Sequence, residues 1–352
     1  MARIEPQLNS REIIIVGAGG IVRGAHLPAY RKAGLRVAGI YDIDSAKAAA
    51  LAAEYGIPMV LGSMSDVRKA SQNTVFDFAT PPDAFLHLIS CLPEGAAVLL
   101  QKPMGRTLTE ARTIREACRA KKLNAAVNFQ LRFAPAIAKA RQMIERGCIG
   151  ELHDMEIRVT VYTPWHLWSF LERAPRLEIV YHSIHYVDLI RSFLGNPARV
   201  YARTVRHPAA SKLASTRTNI IMDYGDLVRA NITTNHGHAY GQKHQESYVK
   251  WEGTRGAIKV GLGVLMDYPK GRPDTFEFVI LEDGKEPEWQ TDVVEGNWFP
   301  DAFIGSIGSL FAFVDGKTNV LPTAVDDALK TMAVVESAYE SSDHGGVAVA
   351  YT

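Results

Sequence analysis

The stretch that decides the fold is Ile13-Ile14-Ile15-Val16-Gly17-Ala18-Gly19-Gly20-Ile21-Val22. Its four leading apolar residues predict a buried strand, and the glycines that follow predict a tight turn into a helix. Gly17 permits the turn, Gly19 lets the backbone approach a pyrophosphate, and N–H groups at the start of a helix bind anions. The stretch therefore predicts a site for the phosphates of a dinucleotide, with a purely structural glycine turn as the alternative.

The first third of the chain predicts a doubly wound α/β domain. After Glu12–Val16, apolar segments that predict strands alternate with segments of helical period such as Ser45–Tyr55 and Thr107–Lys122. Strands that are apolar throughout and separated by helices are typical of a parallel sheet covered on both faces. We assign residues 1–130 to this Rossmann-type domain. Its further predicted strands are Arg36–Tyr41, Thr74–Ala79, Ala96–Leu100 and Asn124–Asn128.

Residues 131–352 predict a second α/β domain, for substrate binding and oligomerisation, with a large, mostly antiparallel open sheet. Strands of alternating polar and apolar residues follow one another here without helices between them. The predicted strands are Glu151–Tyr162, Ala198–Arg206, Arg217–Met222, Leu227–Thr233 and Glu246–Glu252, and the predicted helices are Ala134–Arg146, Ile179–Leu194, Asp301–Val314 and Ala324–Ser341. We expect the C-terminal helix to pack on the first domain. Too few helices remain to cover both sheet faces, which predicts a homodimer or homotetramer.

Composition and charge argue against several classes of protein. The 352 residues carry 39 Lys+Arg against 38 Asp+Glu, so nothing favours a nucleic-acid partner. The three cysteines, Cys91, Cys118 and Cys148, show neither zinc-finger nor disulfide-scaffold spacing. No apolar run approaches the roughly 20 residues that span a bilayer, and the polar N-terminus lacks a signal-peptide pattern. We expect a cytoplasmic protein with no membrane partner and no metal.

The end of the second predicted strand indicates which dinucleotide binds. Asp42 follows Gly19 at about the 20-residue spacing at which a carboxylate accepts hydrogen bonds from an adenosine ribose. A carboxylate repels a 2′-phosphate, and no Arg follows directly, so NAD is favoured over NADP. The predicted cofactor contacts are Gly17, Gly19, Gly20, Ile21, Asp42, Thr80, Pro81, Gln101 and Lys102.

Lys102 is the first candidate for catalysis. The fourth predicted strand ends in Ala79-Thr80-Pro81-Pro82 and the fifth in Leu100-Gln101-Lys102-Pro103. Both ends lie at the carboxyl edge of a parallel sheet, where ligands bind in such folds. A lysine at this edge can donate to a substrate hydroxyl and stabilise alkoxide character as hydride departs. A lysine on a solvated loop is the alternative.

Several motifs occur together in the order of a known family. They are Gly17-Ala18-Gly19-Gly20, Arg23-Gly24-Ala25-His26-Leu27-Pro28-Ala29, Tyr41-Asp42, Ala79-Thr80-Pro81-Pro82, Gln101-Lys102-Pro103 and His185-Tyr186-Val187-Asp188. Over nearly the whole chain they resemble the glucose-fructose oxidoreductase and inositol dehydrogenase family, Gfo/Idh/MocA. The resemblance implies the two-domain fold above and oxidation or reduction at a hydroxyl or carbonyl carbon of sugars, inositols and related polyols.

Two positions depart from the family pattern. Gln101 stands where members usually carry Glu, which removes a negative charge beside Lys102, and Tyr181 stands where members usually carry Asp. The resemblance implies catalytic roles for Lys102 and His185. Tyr181 lies four residues before His185 and so shares its helix face, which makes the phenol an alternative proton acceptor. The imidazole is the better base, because it titrates near neutral pH, whereas a phenol ionises only in alkaline solution.

Aromatic and amide side chains predict the substrate contacts, because sugar faces stack on rings while hydroxyls bind polar groups. The predicted contacts are Lys102, Asn128, Gln130, Arg132, Trp165, Trp168, His182 and His185. The two tryptophans could equally be core residues. A metal pair of His182 and His185 is disfavoured, because the resemblance implies nicotinamide chemistry without metal. Residues 235–238 predict an exposed turn, with a hydroxyl-binding loop as the alternative.

The leading functional hypothesis is an NAD-dependent oxidoreductase that transfers hydride between nicotinamide and a sugar, inositol or related polyol. A second enzyme class is NAD-dependent glycoside cleavage by transient oxidation and elimination. A third class is a sensor that binds NAD and sugar without catalysis. The presence of Lys102 argues against the sensor.

Overall fold

The chain forms two compact units, and a computed structural model describes residues 11–67, 73–167, 169–268 and 270–348. The first unit comprises the residues up to Ala134 together with Phe299–Met332, and the second comprises Pro135–Trp298 and the residues from Ala333 onward. The predicted boundary after residue 130 lies four residues before the first break between the units, and the later segment Phe299–Met332 returns to the first unit. Phe303 and Leu310 are buried in the core of the first unit, which explains why this segment belongs there.

A parallel sheet organises the first unit. Its strands are β1 (Glu12–Val16), β2 (Arg36–Tyr41), β3 (Met59–Val60), β4 (Thr74–Phe78), β5 (Ala97–Leu100) and β6 (Asn124–Val127), in the order β3-β2-β1-β4-β5-β6. Every neighbouring pair in this sheet is parallel. The strands are almost wholly apolar because helices cover both faces of the sheet. The predicted doubly wound sheet is confirmed.

Helices account for most of the remaining regular structure. They are α1 (Leu27–Lys32), α2 (Ser45–Tyr55), α3 (Met64–Val67), α4 (Phe85–Cys91), α5 (Leu108–Ala120), α6 (Pro135–Glu145), α7 (Ile184–Leu194), α8 (Asp301–Val314) and α9 (Val325–His344). Two π-helical turns, Val22–His26 and Ile179–Ser183, lead directly into α1 and α7. None of the helices in the described ranges combines the length and apolar character that a membrane span needs.

Backbone hydrogen bonds align the carboxyl ends of the first sheet. They continue past the strands, so that the N–H groups of Gly17, Ala79, Gln101 and Asn128 each bind a carbonyl of the neighbouring strand over 2.7 to 2.9 Å. The residues that follow β1, β4, β5 and β6 therefore emerge at one edge. This edge carries most of the candidate residues of the first unit.

A mostly antiparallel sheet organises the second unit. Its strands are β7 (Leu152–Thr160), β8 (Arg199–Val205), β9 (Arg217–Asp223), β10 (Arg229–Asn235), β11 (Glu246–Gly253), β12 (Gly256–Gly261), β13 (Thr275–Ile280) and β14 (Gln290–Asp292), in the order β14-β13-β12-β11-β7-β10-β9-β8. The β7–β10 pair is parallel and the other pairs are antiparallel. The predicted open sheet is confirmed, whereas β12, β13 and β14 were not predicted.

We predict that Gly17→Ala destabilises the first unit by about 1–3 kcal/mol. Gly17 has φ of 113°, and a Cβ atom there would lie 2.6 Å from the carbonyl oxygen of Ala79. Gly20→Ala is the matched control, because its Cβ would meet nothing within 4 Å. Urea unfolding of both variants measures the difference. Equal unfolding midpoints would mean that the turn relaxes without cost.

Candidate functional site

The glycine turn after β1 leaves room for a ligand. Gly19 and Gly20 are exposed, with open space at both Cβ positions. Asp42, which follows β2, accepts the N–H of Ala18 at Oδ2 over 2.6 Å and the N–H of Asp44 at Oδ1 over 2.8 Å. This carboxylate therefore orders the turn, which the sequence did not reveal, and it keeps lone pairs for ligand hydroxyls. The arrangement fits the pyrophosphate and ribose of a dinucleotide.

Ile21, Thr80 and Pro81 differ in their surroundings. Ile21 packs against the core of the first unit, and Pro81 is exposed. The Thr80 hydroxyl is buried, and no residue of the described ranges forms a hydrogen bond with it. Because a buried hydroxyl without a partner costs about 1–3 kcal/mol, Thr80 is the best suited of the three to bind a polar group of a ligand.

Lys102 and Gln101 lie at the carboxyl end of β5, and both are partly buried. The backbone N–H of Lys102 donates to Oε1 of Gln101 over 2.9 Å. Burial lowers the pKa of the Lys102 ammonium to about 8. A cation that has lost part of its hydration interacts more strongly with a nearby anion or developing alkoxide than a solvated lysine does.

The amides after β6 differ from the arginine that follows them. Asn128 and Gln130 are buried, and within the described part of the chain neither amide atom of Asn128 nor Oε1 of Gln130 has a hydrogen-bond partner. Arg132 donates to the carbonyl of Pro322 over 2.9 Å and to Asp327 over 2.7 Å. Its guanidinium therefore holds the chain near α9, and its contact with substrate stays a prediction. The two amides are the better candidates for binding a polar ligand.

An aromatic cluster forms in the second unit. The ring centroid of His182 lies 4.9 Å from that of Trp165 and 4.5 Å from that of His236. Trp165 and His182 are partly exposed, whereas His236 is buried. Trp168, the other predicted substrate contact on this loop, lies outside the described residues. The cluster offers apolar ring faces beside a titratable imidazole.

Tyr181 and His185 contact different parts of the second unit. Tyr181 packs against a small apolar cluster that contains Leu171, Leu177 and Leu213. His185 is buried, and the centroid of its ring lies 5.6 Å from that of Trp298, edge to face. Although the two side chains are only four residues apart, they have different neighbours. Of the two, only Tyr181 packs in this leucine cluster.

Glu178 is a buried acid that the sequence analysis did not single out. His236 Nε2 lies 3.3 Å from its Oε1, and Ser183 donates to both carboxylate oxygens. Nδ1 of His236 lies 2.9 Å from the hydroxyl of Thr163. Burial opposes ionisation of Glu178, but the hydrogen bond and charge of His236, with hydrogen bonds from Thr218 and Ser183, outweigh it and lower the pKa. The sequence signal that could have revealed Glu178 was a carboxylate within an apolar segment.

The prediction of an exposed turn at 235–238 was wrong for His236, which is 1% exposed. The ladder of β10 extends beyond the strand, since the N–H of His236 donates to the carbonyl of Thr216 over 3.0 Å. The side chain is thereby directed into the buried layer. Within the described ranges, no group of three or more His, Cys, Asp or Glu residues is arranged to hold a metal ion.

Two sequence profiles of one family match the chain. One, described as an oxidoreductase family with an NAD-binding Rossmann fold, matches residues 11–129. The other, the GFO/IDH/MocA C-terminal domain, matches residues 137–259. The chain belongs to the Gfo/Idh/MocA family. Its first unit is accordingly an NAD-binding Rossmann domain, and the cofactor predicted from the sequence is confirmed.

Relatives within this family cover different shares of the chain. D-apiose dehydrogenase of Rhizobium rhizogenes is 24% identical over 324 residues, which cover 89% of each protein. D-apiose dehydrogenase of Paraburkholderia graminis is 27% identical over 197 residues, 54% of this chain and about half, 52%, of that relative. An Agrobacterium radiobacter oxidoreductase, solved with NAD+, L-tartaric acid and magnesium, matches with a TM-score of 0.77 and 20% identity, covering 96% of this chain and 97% of that one. This structural match shows the fold.

We predict that NAD binds at least about tenfold more tightly than NADP, because the Asp42 carboxylate repels a 2′-phosphate. Asp42→Asn should narrow the ratio of the two dissociation constants, measured by calorimetry. Asp44→Asn is the control, because the Asp44 side chain accepts the N–H of Lys47 at the start of α2. A preference for NADP in the unaltered protein would contradict the assignment of Asp42.

Proposed function

We propose that this protein is an NAD-dependent oxidoreductase of a sugar, inositol or related polyol. The observation that carries the proposal is Lys102, a partly buried cation at the carboxyl edge of an NAD-binding sheet. Asn128, at the end of the adjacent strand, adds a buried amide whose two polar atoms have no partner within the described ranges. Two relatives named D-apiose dehydrogenase, an enzyme of a sugar, support this substrate class.

Each residue has a distinct role in the proposed reaction. Bound NAD supplies the hydride acceptor. Lys102 donates a hydrogen bond to the substrate oxygen and stabilises its developing negative charge. His185 accepts the hydroxyl proton, with Tyr181 as the alternative acceptor. The further polar and aromatic contacts to substrate are assigned to Asn128, Gln130, Trp165 and His182.

A screen of sugars, inositols, polyols and sugar acids with NAD tests the proposal. Reduced nicotinamide, followed by its absorbance, should accumulate with at least one member of the set. Sugar release from a glycoside without net reduction of NAD would point instead to glycoside cleavage. Tight binding of NAD and sugar with no chemical change would point to a sensor.

We predict that Lys102→Ala and His185→Ala each lower kcat by about 10² to 10⁴. NAD affinity should stay within a few-fold, because neither side chain is assigned to the adenosine or pyrophosphate. Lys122→Ala is the control, since this lysine is exposed and pairs with Glu94. If His185→Ala stays active while Tyr181→Phe is inactive, the proton acceptor is Tyr181. A near-normal rate for Lys102→Ala would refute its catalytic assignment.

We further propose that the second unit forms a homodimer or homotetramer through its sheet. Tyr201 on β8 and Ile221 on β9 are register partners, and their side chains are 51% and 53% exposed. Two large apolar groups side by side on a sheet favour burial against another surface. A second copy of the chain is the occupant that we assign.

We predict that Ile221→Arg shifts the protein toward smaller species in sedimentation velocity at micromolar concentration. A buried charge without a partner in an interface is strongly unfavourable. Leu227→Arg serves as the control, because Leu227 is 86% exposed and lies outside the paired strands. A monomer before any substitution, or identical distributions for both variants, would contradict the proposed interface.

A further inference from the structure

A chain of hydrogen bonds runs beneath Lys102 in the first unit, and it begins at a buried carboxylate. Asp77, the residue before the last of β4, and His26, in the first π-helical turn, are both 0% exposed. Oδ2 of Asp77 lies 2.6 Å from Nδ1 of His26 and accepts the hydroxyl of Tyr30 over 2.7 Å. Burial and the charge of Asp77 raise the pKa of Tyr30 well above its ordinary value, so the phenol keeps its proton. Since the carboxylate accepts, Nδ1 of His26 carries a proton.

The other side of His26 faces Gln101. Nε2 of the imidazole lies 3.1 Å from the amide nitrogen of Gln101, and the amide Oε1 accepts the backbone N–H of Lys102 over 2.9 Å. A backbone N–H can only donate, so the amide oxygen must face Lys102 and the amide NH₂ must face the imidazole. Nε2 of His26 must then present a lone pair. These bonds fix both the amide orientation and the tautomer of the ring.

We propose that His26 is held as the neutral tautomer with its proton on Nδ1, and that His26 and Gln101 are positioning residues that fix the backbone of Lys102. This inference rests on the proposed function, because it assigns the chain of bonds to a lysine that acts on the substrate. The bonds run from Asp77 through His26 and Gln101 to the N–H of Lys102. None of these positioning groups needs to touch the substrate.

A second proton on His26 would break this arrangement. The Nε2–H would then oppose the amide NH₂ of Gln101, and the amide would have to turn over to accept it. The turned amide would present NH₂ to the N–H of Lys102, and that bond would be lost. The groups that face His26 are the carboxylate of Asp77, the hydroxyl of Tyr30, the amide of Gln101 and the ring of Phe303, whose centroid lies 4.8 Å away. Only Asp77 among them favours the second proton.

Imidazole ¹⁵N NMR of the intact chain tests the tautomer without any substrate. In the unaltered protein, Nδ1 of His26 should be protonated and Nε2 unprotonated. In Gln101→Glu, a carboxylate faces Nε2, so both nitrogens should carry protons. A doubly protonated His26 in the unaltered protein, or a proton on Nε2 alone, would overturn the proposal.

Lys102 itself provides the readout that separates positioning from a merely structural role. In Gln101→Leu the N–H of Lys102 loses its acceptor, so the burial that lowers the pKa of the Lys102 ammonium should change and that pKa should move away from about 8. Tyr30→Phe is the matched control, since it removes one bond to Asp77 and leaves those of Gln101 in place. An unchanged Lys102 titration in Gln101→Leu would overturn the positioning role.

Turnover completes the test, using the sugar that reduces NAD in the screen. Gln101→Leu should lower kcat about tenfold with KM within about threefold, because a displaced catalytic group costs rate more than binding. Gln101→Glu should restore most of that loss, because its carboxylate still accepts the Lys102 N–H. Equal kcat values for Gln101→Leu and the unaltered protein would overturn the proposal. If no sugar reduces NAD, the proposed function fails, while the NMR results still decide the state of His26 and Lys102.

Discussion

Gly17 lies so close to the carbonyl oxygen of Ala79 that no Cβ atom fits between them. This contact joins the ends of β1 and β4, the two strands at the centre of the first sheet. It lets the chain turn sharply while the strands stay in register, so the next residues reach the surface at the carboxyl edge. Asp42 then ties Ala18 to the end of β2. The ends of three strands are thereby joined without a ligand. The geometry of this edge depends on residue 17 being a glycine, which has no side chain.

Much of the first unit could be predicted because its elements carry strong local patterns. The predicted bounds of β1, β2, α2 and α8 agree with the structure. β11 was predicted but β12 was missed, because the hairpin between them turns between Gly253 and Gly256, where little side-chain pattern remains. Periodicity predicts the helix at Asp301–Val314 without indicating which surface its apolar face covers, so the sequence did not show that Phe299–Met332 returns to the first unit.

The sequence predicted those candidate residues that directly follow strands. It did not predict the buried polar residues whose partners lie far away in the sequence. Lys102 and Asp42 follow strands, and their positions are visible in the sequence. Arg132 also follows a predicted strand, and the sequence therefore suggested a substrate contact. Its guanidinium binds Asp327, a partner 195 residues away that no local pattern reveals. His236 and Glu178 were missed for a similar reason, since each is buried through the pairing of distant strands and helices. Long-range contacts decide whether a polar residue meets solvent, ligand or another polar group.

The division of the chain has a consequence for how the protein forms during synthesis. The chain passes from the first unit to the second after Ala134, returns at Phe299 and leaves again after Met332. The Rossmann domain therefore lacks α8, with its buried Phe303, Ile307 and Leu310, until most of the protein has left the ribosome. Domains usually fold in the order in which they are made. Here the domain that begins first is completed only after nearly all of its neighbour has been synthesised, so a nascent chain exposes an apolar surface of the nucleotide-binding domain while residues 135–298 are being made.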